Sequence, residues 1–248
     1  MITYQIRVYL LSALAALVIL TIHEFSHGYA AYKMGDNTAK NLGRLTFNPM
    51  VHLDVIGTLC MIFFHIGWAK PVPVNPRNFK NPKKGFVITA LAGPLSNLIL
   101  GFLSAGVYLL IIALVGDIVF PSQLALNLVT NLILFIYLFF TINIGIGLFN
   151  LLPIPPFDGS RLLNALLPPK LYFGMMKYER QIYFAVLGWL LVGDIFARGV
   201  RSIPLVASTP WLYKAAGVLS LSDMLGTVIA FVRSAIIDFW QLIPFLNV

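Results

Sequence analysis

The feature that most constrains this chain is a His-Glu-x-x-His motif inside a long apolar run. The run extends from Leu10 to Ala31, and the motif within it reads His23-Glu24-Phe25-Ser26-His27. On an α-helix, residues four apart share one face, so His23 and His27 can present two imidazoles to one metal ion. Glu24 projects beside them, close enough to take a proton from a water on that metal. The pattern predicts a zinc-dependent hydrolase.

The apolar surroundings of the motif strengthen a functional interpretation. Ionisable side chains inside a membrane helix are costly, so their presence there indicates function. The alternative is that the three polar residues merely pair with one another. The type and spacing of all three match a hydrolytic mechanism, which favours the metal site.

Composition places the chain in a membrane. Of its 248 residues, 59% are apolar and only 10% are charged, and the mean hydropathy is +0.86. A soluble domain carries about 25% charged residues, so we expect a polytopic membrane protein. The net charge of +8 is attributed to cytoplasmic loops and not to nucleic-acid binding. With Cys60 alone, an intrachain disulfide and a cysteine-based zinc site are excluded.

Long apolar segments predict an all-α polytopic membrane fold. A membrane helix needs about 20 mostly apolar residues. Residues 200–220 receive no assignment, and the last predicted helix either spans the membrane or lies at its interface. The predicted membrane helices cover 6–34, 85–116, 124–149, 183–196 and 221–245, and a short helix covers 160–167.

Residues 42–76 predict a small membrane-associated β-sheet or a re-entrant segment. The apolar stretch 55–69 is shorter than the roughly 20 residues of a full span. Three prolines, at positions 71, 73 and 76, favour an extended backbone after it. Non-helical backbone at membrane depth is tolerated only where protein or a water-filled cavity satisfies its polar groups. The segment is therefore expected to lie beside the active site.

Loop charges predict the orientation. The loop between the second and third membrane helices has no basic residue. The positive-inside rule therefore places 35–85 and 160–180 in the cytoplasm. The chain is expected in the plasma or inner membrane as a multi-pass protein, with its active site toward the cytoplasmic side. Eight of the 17 basic residues lie around the first loop: Lys33, Lys40, Arg44, Lys70, Arg77, Lys80, Lys83 and Lys84.

A catalytic zinc usually takes three protein ligands, so the motif needs a partner. Asp158 follows a proline-rich break at the depth of the two histidines and is the favoured third ligand. It could instead cap the short helix that follows it. Asp54, together with His52, is the other candidate. His65 is expected to pack locally as a neutral side chain.

Two amides, Asn97 and Asn150, are predicted at the same depth as the histidines. Such amides can hold a substrate backbone or stabilise the oxyanion of a tetrahedral intermediate. Alternatively, both amides could donate hydrogen bonds to carbonyl groups left unpaired at helix breaks. This interpretation is almost equally good.

Taken together, three motifs resemble those of the site-2 protease family of intramembrane zinc metalloproteases. The resemblance covers roughly residues 8–168 and is to the compact prokaryotic branch, without a PDZ or nucleotide-binding domain. The motifs occur in the family's order and spacing. They are His23-Glu24-Phe25-Ser26-His27, Gly93-Pro94-Leu95-Ser96-Asn97 and Asn150-Leu151-Leu152-Pro153-Ile154-Pro155-Pro156-Phe157-Asp158-Gly159.

The resemblance implies one Zn²⁺ per chain held by His23, His27 and Asp158, with Glu24 as general base. It implies accessory roles for Asn97 and Asn150. The implied fold is a three-helix catalytic core with membrane-associated strands that dock the substrate.

The expected activity is endopeptidase cleavage within or near transmembrane segments of membrane-protein substrates, as in regulated intramembrane proteolysis. The partners are then a transmembrane substrate and the lipid bilayer, with no nucleic acid. Residues 1–180 are expected to form the metalloprotease core, and residues 181–248 to add C-terminal transmembrane or interfacial helices.

Two other functions use the same residues. A metal-ion transporter predicts polar residues along the whole membrane depth, whereas the sequence gathers them on one side. An inactive relative would bind membrane segments without cutting them, and the intact Glu24 argues against it.

Overall fold

Helices account for almost all regular structure in the residues that the computed structural model describes, which are 2–54, 57, 69–116 and 118–248. Four 3-10 turns lie at Pro49–Val51, Pro76–Asn78, Gly217–Leu219 and Pro244–Leu246. The α-helices are α1 (Ile2–Lys33), α2 (Thr38–Asn41), α3 (Pro82–Val115), α4 (Gln123–Asn150), α5 (Gly159–Leu166), α6 (Pro169–Met176), α7 (Glu179–Arg201), α8 (Pro204–Ser208), α9 (Pro210–Ala216) and α10 (Leu221–Gln241).

The described residues include four helices that are long and apolar enough to cross a membrane: α1, α3, α4 and α7. Helices α9 and α10 would add a fifth span, although they meet at a bend of 105°. The predicted all-α polytopic fold is confirmed, and the predicted helices are found with ends shifted by a few residues.

Local signals set where the long helices begin. Asn81 caps α3 by accepting from the Lys84 N–H, and Pro82 occupies the first turn, where a missing N–H costs nothing. Ser122 caps α4 in the same way, and Ser220 caps α10.

Helices α1, α3 and α4 pack together as the centre of the molecule, and small residues allow α3 and α4 to approach closely. A Cβ on Gly101 would lie 2.9 Å from Ile144 Cγ1, and one on Gly147 would lie 2.9 Å from Leu98 Cδ2. Helix α10 covers this pair from the side. Its Trp240 donates an indole N–H to the Phe102 carbonyl at 2.9 Å.

The described part of 42–76 contains no sheet, so the predicted β-sheet is wrong for these residues. Its only pairing there is an isolated antiparallel bridge between Leu53 and Ala69. Residues 70–75 are extended but carry Pro71 and Pro73, which lack the N–H donors that a ladder needs. The re-entrant alternative falls mainly on 55–68, which apart from Gly57 lies outside the described residues, as do Cys60 and His65.

A buried carboxylate, Asp36, ties the end of α1 to the segment that precedes α3. Asp36 has no exposed surface. Its Oδ2 accepts from the Asn75 N–H at 2.7 Å, and its Oδ1 accepts from Asn78 Nδ2 at 2.8 Å and from the Thr38 N–H at 3.1 Å. Gly35 turns the chain toward this group of hydrogen bonds. Its φ is 110°, a conformation that favours glycine.

We expect Asp36→Asn to destabilise the protein by about 2–3 kcal/mol at neutral pH, because hydrogen bonds to a charged acceptor are lost. Burial alone would raise the pKa of Asp36, but the hydrogen bonds from Thr38, Asn75 and Asn78 outweigh it and lower that pKa. The stabilisation is therefore complete above the unfolded pKa of about 3.9 and is lost as pH falls through the lowered folded value. Thermal unfolding of the detergent-solubilised protein across this acid range measures both effects.

The control is Asp238→Asn, because Asp238 is exposed on α10. Equal stability of wild type and Asp36→Asn at neutral pH would contradict the assignment of Asp36 as a structural anchor.

Candidate active site

Three side chains from distant parts of the chain converge on one point. His23 Nε2 lies 3.2 Å from Asp158 Oδ2, and His27 Nε2 lies 3.0 Å from the same oxygen. The two Nε2 atoms are 3.0 Å apart. Among the described residues, this is the group of three potential metal ligands whose ligand atoms all lie within 4.8 Å of one another.

Helix geometry places the two histidines, and the non-helical segment between α4 and α5 brings the carboxylate to them. His23 and His27 stand one turn apart on α1, with ring centroids 4.6 Å apart and ring planes at 82°. After α4 the chain turns back through 151–158. A side chain on Gly159 would collide with the Leu151 and Leu152 carbonyls, so glycine permits this tight return. Asp158 occupies the N-cap position of α5 but makes no capping hydrogen bond with its side chain.

The hydrogen bonding of His27 fixes which nitrogen faces the cluster. His27 Nδ1 lies 2.7 Å from the Thr89 carbonyl oxygen, which can only accept, so Nδ1 carries the proton. The Nε2 lone pair then points toward His23 and Asp158. This is the tautomer of a metal-ligating imidazole oriented by a backbone carbonyl.

The donor set fits a divalent cation of the zinc type. Asp158 Oδ2 faces both imidazole Nε2 atoms, at 3.2 Å from His23 and 3.0 Å from His27. A lone pair on His27 and a carboxylate oxygen that face each other at 3.0 Å repel unless a cation or proton lies between them. Two imidazoles and one carboxylate are a common ligand set of catalytic zinc.

Glu24 lies beside this cluster and is held by the backbone of another segment. Its side chain is buried, and its Oε2 accepts from the Val72 N–H at 2.8 Å. Val72 belongs to the extended stretch that follows Lys70, and its side chain packs toward Gly28 on α1. This contact could not be read from the sequence, because the donor is a backbone N–H 48 residues away.

The two amides occupy different environments. Asn150 lines the cavity at the cluster, and its Nδ2 donates to the Ile146 carbonyl at 3.0 Å. Asn97 has no exposed surface and is not among the residues that line that cavity. Asn143, on α4, is equally buried and was not singled out by the sequence.

A cavity of about 1730 Å³ opens onto the cluster between α1, α3, α4 and α7. Its wall includes His23, Glu24, His27 and Asp158. It also includes charged or polar residues that were not predicted from the sequence to lie there, namely Arg161, Glu179 and Tyr183. Only Arg161, three residues after Asp158 on a helix, had a spacing that could have indicated its position.

The other sequence candidates lie away from the cluster or outside the described residues. His52 is buried, with Nε2 2.8 Å from the Thr46 carbonyl oxygen. Asp54 Oδ1 accepts from the Gly57 N–H at 2.8 Å. Neither belongs to the three-residue group. His65 is not described.

Gly93 lets α3 pass directly against the two histidines. A Cβ built on it would lie 2.6 Å from His27 Cε1 and 2.7 Å from His23 Cε1. Both rings would have to shift, because real Cβ atoms do not approach so closely. Gly93 of the second motif is therefore needed for the two histidines of the first motif to pack as they do.

We expect Gly93→Ala to weaken zinc binding by at least about tenfold, since displaced imidazoles lose ligand geometry. Zinc titration of the purified protein measures the affinity. Gly145→Ala on α4 is the matched control, because the nearest atom to its added Cβ is 4.0 Å away. Equal zinc affinity in the two variants would contradict the prediction.

Comparison with known proteins agrees with this geometry. Residues 11–188 match the family model described as peptidase family M50. YwhC of Bacillus subtilis (strain 168), named as a candidate zinc metalloprotease, is 42% identical over 173 residues, which are 69% of this chain and 76% of YwhC. No solved structure matches the chain significantly. The chain therefore belongs to peptidase family M50, the site-2 protease family of membrane-embedded zinc metalloendopeptidases.

Proposed function

We propose that the protein is a zinc-dependent endopeptidase that cleaves peptide bonds within or near transmembrane segments of other membrane proteins. The observation that carries this proposal is the meeting of His23, His27 and Asp158 with Glu24 at the wall of a cavity between apolar helices. A substrate that reaches this cavity from the bilayer would be an apolar segment.

The metal site is proposed as follows. His23 and His27 would ligate through Nε2, and Asp158 would ligate through its carboxylate, with one zinc per chain. When bound, zinc supplies Lewis acidity that lowers the pKa of a water and polarises the peptide carbonyl.

Glu24 is proposed as the general base and acid. Its carboxylate would take a proton from the attacking water and then give that proton to the leaving amine, so that the peptide bond is replaced by a carboxylic acid and an amine. The Val72 N–H holds one oxygen of Glu24, which fixes the orientation of the carboxylate.

Asn150 is the amide that lines the cavity, so the proposed contact with the oxyanion rests on it. Its Nδ2 donates one N–H to the Ile146 carbonyl, and the second N–H of the same amide would make this contact. Asn97 would support the site through the packing of α3, because it has no exposed surface.

The substrate must be extended at the point of cleavage, because a helical carbonyl is hydrogen-bonded within its helix. The extended residues Ala69, Pro71, Val72 and Val74 line the cavity and offer backbone beside which a substrate could lie. We place the catalytic core within 1–180 and the site toward the cytoplasm, as the loop charges favour. Beyond residue 180, α7 contributes one wall of the cavity, with Tyr183 as one of its lining residues.

The direct test uses the full chain in liposomes with a single-span model substrate, and mass spectrometry of the products. Zinc-dependent cuts within or near the apolar segment are expected, and a chelator should abolish them. Cleavage that survives chelation would overturn the proposal. So would zinc flux across the liposome membrane without any cleavage, which is the transporter outcome.

We expect Val72→Pro to lower kcat by about 10–100-fold, because a hydrogen bond to a charged group is worth roughly 1.5–3 kcal/mol. Proline removes the N–H that holds Glu24, and the preceding and following prolines already favour the same extended backbone. Zinc content should stay unchanged; steady-state kinetics measures kcat and metal analysis measures the zinc.

Val72→Ala is the control, since it keeps the N–H and removes most of the side chain. A similar loss of kcat in both variants would assign the effect to packing against α1 and would contradict the positioning role of the N–H.

A further inference from the structure

A second cavity of about 290 Å³ lies between α3, α4 and α10, away from the candidate active site. Its size is just below the range of about 300–1,000 Å³ typical of small-molecule sites, so it fits a headgroup-sized fragment. The polar members of its wall are Tyr108, Tyr137, Arg233 and Gln241.

Arg233 brings a positive charge into the wall of this cavity. Its Nη2 donates to Tyr137 Oη at 2.6 Å, and its guanidinium lies 5.5 Å from the centre of the Tyr137 ring and 5.8 Å from that of Phe140. Its Nε is buried and has no hydrogen-bond partner. In the described part of the chain, the ion pairs found do not include Arg233.

An arginine held in this way is prepared for an anion with several oxygens. Membrane-embedded charges are costly and usually have a functional partner. The planar guanidinium fork matches the oxygens of a phosphate. The Tyr108 ring lies 5.4 Å from that of Tyr137, so two phenols border the same cavity.

The depth of the cavity points to the source of the anion. Tyr108 is 15 residues beyond Gly93 on α3, which corresponds to about 22 Å along the helix. Gly93 contacts the two histidines, and the hydrocarbon core is about 30 Å thick. The second cavity therefore lies toward the membrane face opposite the candidate active site, and a long arginine side chain can reach that interface.

We propose that this cavity binds the phosphate of a phospholipid headgroup from the leaflet opposite the candidate active site, with Arg233 as the main ligand. Tyr137 orients the guanidinium, and Tyr108 adds a hydroxyl donor. The lipid would stabilise the contact of α10 with α3 and α4.

The test is native mass spectrometry of the delipidated full chain in a neutral detergent, titrated with short-chain phosphatidylglycerol. Wild type should bind one lipid tightly, and Arg233→Gln should weaken that binding by roughly tenfold or more. Diacylglycerol, which lacks the phosphate, should not bind. Millimolar inorganic phosphate should not displace the lipid, and displacement would identify free phosphate as the ligand and overturn the lipid assignment.

The matched control is Arg7→Gln. Arg7 lies on α1, donates to Asn131 Oδ1 at 3.3 Å, and also has a buried Nε without a partner, but it is not in the cavity wall. Equal weakening by both substitutions, or none by Arg233→Gln, would overturn the proposal. If Arg233→Gln does not fold, Tyr137→Phe provides the decision: weaker lipid binding supports the site, and unchanged binding rejects it.

Discussion

Replacing Glu24 by glutamine is expected to lower the rate of peptide cleavage by at least about 10²–10⁴-fold, the range attributed to a positioned general base. Glutamine has nearly the same shape and keeps an oxygen that can accept from the Val72 N–H, so the packing around it should survive. It cannot take up a proton. Zinc content should remain at about one per chain, because the three proposed ligands are untouched.

Two measurements on the purified variant decide this prediction, namely cleavage of a membrane-spanning substrate and zinc by elemental analysis. The control is Ser26→Ala, because Ser26 lies in the same motif but donates to the Ile22 carbonyl of its own helix. Cleavage by Glu24→Gln at the wild-type rate would contradict the proposed mechanism. Loss of zinc together with activity would instead show Glu24 to be part of the metal site.

Asp158→Asn is expected to reduce zinc affinity by at least about 100-fold and to abolish cleavage as a consequence. The estimate is a lower bound, since the loss of an outer partner of a metal ligand already costs about 10–100-fold. An amide carries no negative charge, and the two histidines alone provide too few ligands for a stable catalytic zinc site. Competition with a chromogenic chelator measures the affinity.

The matched control for this change is Asp54→Asn, which alters the other carboxylate that the sequence allows as a third ligand. Asp54 accepts from the Gly57 N–H and is not part of the three-residue group, so its variant should keep zinc. The opposite result, with zinc kept by Asp158→Asn and lost by Asp54→Asn, would reverse the ligand assignment.

The helices were predictable because a membrane imposes their length and composition. Apolar runs of more than about 20 residues leave the backbone no alternative to a helix, since its polar groups find no water. The predicted runs at 6–34, 85–116 and 124–149 therefore correspond to α1, α3 and α4. The predicted sheet was wrong in the described residues because extended backbone was equated with paired backbone. Pro71 and Pro73 favour the first and prevent the second.

The candidate site also has one part that the sequence predicts and another that depends on the fold. The spacing of His23 and His27 is local, and one helix is enough to bring the two side chains together. Asp158 was favoured by an argument about depth, while an N-cap role and Asp54 remained possible. The folded chain brings Asp158 Oδ2 within 3.0–3.2 Å of both histidines. The proline-rich return after α4 and the lack of a side chain at Gly159 make that approach possible.

The sequence by itself determined that the protein lies in a membrane, where its long helices are, and that it carries the residue types of a zinc hydrolase. These features depend on composition and on short spacings. Only the tertiary structure decided which distant groups touch them. The Thr89 carbonyl selects the tautomer of His27, the Val72 N–H holds Glu24, and α7 forms one wall of the cavity. Such contacts join segments that are tens of residues apart, often through backbone atoms that every residue carries. No residue type marks them in advance, so they are fixed by the packing of α1 against α3 and α4.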